Sequence, residues 1–230
     1  MMKQRRSLLA LFTVMLMTGS FVVSGCSPNK FEEQPQPQQS EAGQTMADQL
    51  AVEIEGKAFS NKDVAFYGLM QQLKIEWARA AEMGSLSQVE QEDRQVYWDR
   101  QASQYQQSNI QLQTLIETEA MALLAREKHF FIPPEKLESE VNKFQEKVDG
   151  NQAAKAMIDE FGRQQVNAML RPYLEASMLT NRIINELEKN IRTDQPNASD
   201  EEVKYETGKR YEDLFADQMK SIKLTIHLKE

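Results

Sequence analysis

The stretch LAVEIEGKAFSNKDVAFYGLMQQLKIEW, residues 50–77, changes its hydrophobic period partway along. At its start Leu50, Val52 and Ile54 alternate with Ala51, Glu53 and Glu55, the period-two pattern of a half-buried strand. Further on, Phe66, Met70, Leu73 and Trp77 fall on one face of a helix, and Ser60 or Asn61 stands where a helix N-cap belongs. A lone strand leaves its backbone groups unpaired, so a second strand is required. The matching pattern lies at the far end of the chain, in IKLTIHLKE, residues 222–230. There Leu224, Ile226 and Leu228 alternate with Lys223, Thr225, His227 and Lys229, which sets lysines against the glutamates of the first strand. The two segments predict a mainly α fold whose ends are clasped by a small two-stranded sheet. Such a pair is marginal alone and must rest on helices.

The chain between them reads as helix almost throughout. A long, Gln-rich second segment starts near Gln88 and ends in the stripe Leu112, Ile116, Ala120 and Leu123. Pro133-Pro134 opens a third helix, since proline is tolerated in a first turn, with Leu137, Val141, Phe144 and Val148 as its apolar face. Gly150 and Gly162 delimit a short fourth helix containing Met157 and Ile158. The fifth runs from about Arg163 to Ile191 on Val166, Leu170, Tyr173, Leu174, Ile184 and Leu187. Pro172 lies within it and predicts a kink or a split. NASDEE caps a sixth helix carrying Tyr211, Leu214, Phe215 and Met219.

The N-terminus has a different logic. Lys3, Arg5 and Arg6 precede the apolar run Leu8–Met17, which is too short to span a bilayer as a helix and reads as a secretory signal over residues 1–25. Val23-Ser24-Gly25-Cys26 resembles the bacterial lipobox, which implies a diacylglycerol on the Cys26 sulfur and cleavage before it. Cys26 is the only cysteine, so a lipidated sulfur leaves neither a disulfide nor a thiol nucleophile. Two or more acyl chains would hold the protein at the extracytoplasmic face of a bacterial membrane. Residues 26–49 are rich in Gln, Pro and Glu and read as a disordered tether with a reach of roughly 25 Å. Residues 50–230 form the one folded domain.

Composition narrows the chemistry. The formal charge is −8, and removal of Lys3, Arg5 and Arg6 with the signal takes it to −11, which speaks against a nucleic-acid partner. His129 and His227 are the only histidines; neither has a second ligand at usable spacing, so no metal site or cofactor is expected. Met70, Met121 and Met157 read first as core filler and second as a soft client-binding surface. EKLESE and EVKYETGKRYED read as solvated helix faces. No nucleophile motif, phosphate loop or carboxylate pair stands out, and no catalytic residue is predicted.

VEIEGKAFSNKDVAFY, residues 52–67, resembles the opening of SurA- and PrsA-type chaperones: a strand, a turn at Glu55-Gly56 and a capped helix. LQTLIETEAMALLAREKHFFIPPEKLESEVNKF, residues 112–144, is similar to the next segment of that family, except that the family usually has Gly where this chain has His129-Phe130-Phe131. The resemblance implies a helical chaperone domain binding unfolded or secreted polypeptides. Many members carry a parvulin-type prolyl isomerase domain before the last helix and strand. Here only RTDQPNASDEE, Arg192 to Glu202, stands at that place, too short for a domain. The expected function is therefore a lipid-anchored chaperone without catalysis. The alternatives are an adaptor lipoprotein for one specific partner and, by family analogy alone, a prolyl isomerase.

Overall fold

The computed structural model describes residues 46–227, so the signal, Cys26, most of the tether and Leu228 lie outside the described residues. The period change of the opening segment becomes a hairpin and a helix. Strand β1 (Leu50–Ile54) turns at Glu55-Gly56 into β2 (Lys57–Ser60). Glu55 and Gly56 both have positive φ, 49° and 78°, as a two-residue hairpin turn of the primed type requires. Ser60 then caps α1 (Asn61–Met83) through a reciprocal box with Asp63. β3 (Leu224–Ile226) pairs antiparallel with β1, in the register Val52–Ile226, Glu53–Thr225 and Ile54–Leu224.

The clasp between the two ends of the domain is thus present, but the sheet has three strands in the order β2–β1–β3 rather than two. The alternation is imperfect at both ends. A bulge between Leu50 and Val52 turns Leu50 outward (39% exposed) and buries Ala51 (0%) in its place. Ile226, expected in the core, is 53% exposed. Glu55 does meet Lys223, but through the main chain: its N–H donates to the Lys223 carbonyl at 2.9 Å, and its carboxylate accepts from the Lys223 N–H.

Seven helices, not six, follow among the described residues: α1, α2 (Gln88–Gln104), α3 (Ser108–Glu127), α4 (Pro134–Asp149), α5 (Gln152–Phe161), α6 (Arg163–Asp194) and α7 (Asp200–Ser221). The long second segment breaks at Tyr105–Gln107, where the Tyr105 carbonyl accepts hydrogen bonds from the Gln72 and Gln111 side chains at 3.0 and 2.7 Å. A turn without Gly or Pro is held by side chains instead. Conversely, α6 is not split at Pro172. Its φ suits a helix, and Val166, Leu170, Tyr173, Ala176 and Leu179 are buried on both sides of it, so packing holds the rod together.

The core is one body of apolar side chains with a second cluster beside it. Phe66, Leu73, Leu115, Phe144, Ile158, Leu170 and Tyr173 join α1, α3, α4, α5 and α6 under the sheet. Met121, Ala122 and Ala125 of α3 meet Ala176, Leu179 and Ile183 of α6, with Tyr211, Leu214 and Phe215 of α7 laid over them. Met70 and Met121 are buried and Met157 packs partly buried against the core, the filler role expected of them.

At the C-terminus of α3 the Phe130 N–H bonds to the Ala125 carbonyl and the His129 N–H to the Arg126 carbonyl, both at 2.9 Å. This is a Schellman end, and His129 occupies its left-handed position at φ 62°. The exposed imidazole gains nothing there that a hydrogen would not supply. His129→Gly should therefore raise stability by about 1 kcal/mol, read as a shift of the urea midpoint at unchanged slope.

Candidate functional site

The first candidate surface is the hairpin of α1 and α2. The buried residues of α1 run from Val64 to Leu73, and its last ten residues contribute none. α2 has no buried residue and packs chiefly against α1. What joins the two helices is a polar latch. Glu82 near the end of α1 accepts from Trp98 Nε1 at 2.8 Å and pairs with Arg94 at 2.7 Å. Arg94 in turn lies over the Tyr97 ring at 4.5 Å. Ser87 and Glu90 form a capping box that starts α2 after the turn. An arm tied by polar contacts can leave apolar side chains in water. Val89 is 75% exposed and Val96 61%, seven residues apart and so on one side of the helix.

The second surface is a groove of about 330 Å³ between α6, α7 and the end of α3. Ile183, Leu187 and Leu214 give it an apolar lining, and Lys128, Arg210 and Asp213 are among its charged rim. Nearby in sequence, in the link from α3 to α4, Phe131 is 70% exposed while Phe130 packs against the second cluster.

Two carboxylates of α3, Glu119 buried and Glu117 half-buried, escaped the sequence reading. Glu119 is 3% exposed and accepts from the Tyr67 hydroxyl at 2.5 Å and from Lys57 at 2.9 Å. Burial first, and the Glu119 charge second, push the Tyr67 hydroxyl far above the usual phenol range. Glu117 accepts from the Tyr211 hydroxyl of α7 at 3.0 Å. Each carboxylate thus ties a neighbouring element to α3, Glu119 holding α1 and β2, and Glu117 holding α7. The available signal was the position of Glu119, three and seven residues beyond Ile116 and Leu112, on their apolar stripe.

Burial raises the Glu117 carboxyl above its ordinary value of 4.5, and Glu212 adds to this, while the Tyr211 hydrogen bond and Lys74 oppose it. A carboxyl whose folded pKa is raised supplies stability that is complete below the unfolded pKa and lost as pH rises through the folded one. The Glu117 contribution to the unfolding free energy should therefore fall from pH 4.5 upward through that window. Glu117→Gln, which keeps an acceptor for Tyr211, should flatten this fall and be the more stable form at pH 7. Urea titrations of both proteins across pH 4.5–7 check it; parallel curves would contradict it.

His129 is exposed at the α3 end, and the His227 N–H donates to the Ala51 carbonyl at 2.8 Å at the sheet end. The structure does not bring the two histidines into a shared site with acidic residues: among the described residues no group of three or more His, Cys, Asp or Glu could hold a metal ion. No helix of the described residues is long and apolar enough to cross a membrane. The charged runs in α4 and α7 lie mainly on exposed helix faces, as expected, with Leu137, Val203 and Thr207 turned inward. Only Gln195–Ser199 separates α6 from α7. Comparison of the chain with models of protein families, with curated proteins and with solved structures found no match.

Proposed function

We propose that this protein is a lipid-anchored, extracytoplasmic chaperone of the SurA and PrsA type, binding unfolded or secreted polypeptides without catalysis. The observation that carries this reading is the α1–α2 arm. A helix with no buried residue, which presents Val89 and Val96 to water, contributes to neither core cluster. Val89 and Val96 stand on one side of α2, two turns apart with Glu92 and Asp93 between them, so they offer a partner two separate apolar contact points. The groove beside α7 adds apolar lining within a charged rim, suited to a contact that tolerates many sequences. The anchor rests on the lipobox-like Val23–Cys26, and a tether of Gln, Pro and Glu would let the domain sweep the membrane surface. The short link Gln195–Ser199 cannot house an isomerase domain, which favours binding over proline isomerisation.

The full chain, added near one-to-one to several unrelated unfolded proteins, should delay their aggregation without nucleotide and with little dependence on salt. Delay of a single protein out of several would assign the surface to one specific partner. Delay of none would remove the chaperone reading.

A further inference from the structure

One of the two edges of the sheet, strand β3, offers a second kind of contact. In the order β2–β1–β3, strand β3 is paired on one side. The Glu55 N–H bonds to the Lys223 carbonyl, and the His227 N–H bonds to the Ala51 carbonyl, at 2.9 and 2.8 Å. Backbone groups alternate sides along an antiparallel strand, so Lys223, Thr225 and His227 address β1. The N–H and C=O groups of Leu224 and Ile226 then point outward, and among the described residues none of them has a hydrogen-bond partner. On the same face as Val52, which is 0% exposed, Ile226 is 53% exposed, so the apolar side of the sheet continues past the helices that cover it.

We propose that this edge takes an extended polypeptide segment as an added strand, one with acidic residues alternating with apolar ones. A row of bare amides and carbonyls at strand spacing is matched by another strand's backbone. Ile226 asks for an apolar side chain beside it. Lys223, exposed beside the edge with Glu55 of the hairpin turn as its acid neighbour, favours a further acid on the incoming strand. Exposed His227 at the other end has a ring N–H to donate to one. A second copy fits badly. Antiparallel pairing of β3 with itself about Thr225 sets Lys223 opposite His227 at both ends and supplies no acid to either. The shortness of β3 and the presence of Lys223 are devices that guard an edge against aggregation. They also keep such a contact weak and reversible, as a protein that must release its client needs.

The inference rests on the polypeptide-binding reading and names the conformation that the client adopts at this edge. Its test is the binding of a fluorescent peptide, Glu-Val-Glu-Val-Glu-Val-Glu, to the full chain, followed by anisotropy. The same peptide N-methylated at alternate residues, to block its pairing edge, should bind roughly tenfold more weakly, as the loss of about two backbone hydrogen bonds requires. Ile226→Pro removes an outward N–H while sparing the bonds of Thr225 and His227 to β1, and should weaken the unmodified peptide by a similar factor at unchanged melting temperature. If that variant fails to fold, the comparison of the two peptides on the unaltered chain decides alone. Equal binding of both peptides, or no binding, would overturn the inference, and so would a dimer of the full chain that Ile226→Pro abolishes. Loss of peptide binding beside intact suppression of aggregation would strike out the edge and leave the chaperone reading standing; loss of both would remove both.

Discussion

Phe66→Ala is expected to cost about 3–5 kcal/mol, a large part of the roughly 5–15 kcal/mol that holds a domain of this kind together. Phe66 is 1% exposed at the point where three helices meet. Its ring stands edge-on to Tyr173 of α6 at 5.7 Å and to its neighbour Tyr67 at 6.3 Å, and tilted against Phe161 of α5 at 5.9 Å. Alanine would leave a cavity lined by side chains that other contacts fix, so collapse around it would be incomplete. It would also undo aromatic pairs worth about 0.5–1.5 kcal/mol each beyond their buried area. The Tyr67 ring, whose hydroxyl closes on Glu119, would lose its edge-on contact with Phe66, so the tie from α1 to α3 would loosen as well. Urea unfolding should show the midpoint falling sharply. Phe66→Leu, which keeps most of the volume, should lose only about 1–2 kcal/mol. A loss below about 1 kcal/mol for the alanine variant would mean that α1, α5 and α6 are not organised around this ring.

The stripe that led to Phe66 was plain in the sequence, as were most of the elements around it. Capping signals at Ser60 and Ser199, the prolines before α4 and the glycines around α5 all mark boundaries by local chemistry, and local chemistry can be read from neighbours. The pairing of the two ends of the domain was legible because two period-two patterns stood out from a helical chain. By contrast β2, only four residues long, went unread although it pairs with β1 as well. What escaped depends on residues distant in sequence. The break between α2 and α3 is held by Gln72, which is 33 positions from the carbonyl it reaches. Pro172 forecast a break that burial on both sides of it overrides. The bulge at Ala51 shifts a clean alternation by one residue, and no feature of Leu50 announces it. Glu119 is stabilised by Tyr67, 52 residues away, so its place in an apolar stripe made sense only once the partner was found.

The arm followed the same rule in reverse. In the sequence α2 was the Gln-rich first part of a longer helix, and nothing in it distinguished a covered helix from a bare one. The structure separates it from α3 and gives it no buried residue, which makes it a surface that can be altered without touching the fold.

Val89→Gln together with Val96→Gln is therefore the most direct test of polypeptide binding. Neither valine is buried, at 75% and 61% exposed, and glutamine is a better helix former, so the melting temperature should not fall. If clients cover both side chains, their removal withdraws up to about 1.5 kcal/mol each, roughly tenfold to a hundredfold in affinity. Glutamine leaves the charge unchanged, so any effect is one of apolar contact. The measurement is light scattering from several unrelated unfolded proteins, each with the full chain or its double variant at equal concentration. The account predicts delay by the full chain for most of them and little or none by the double variant. Equal delay by both would contradict the assignment of client binding to the arm.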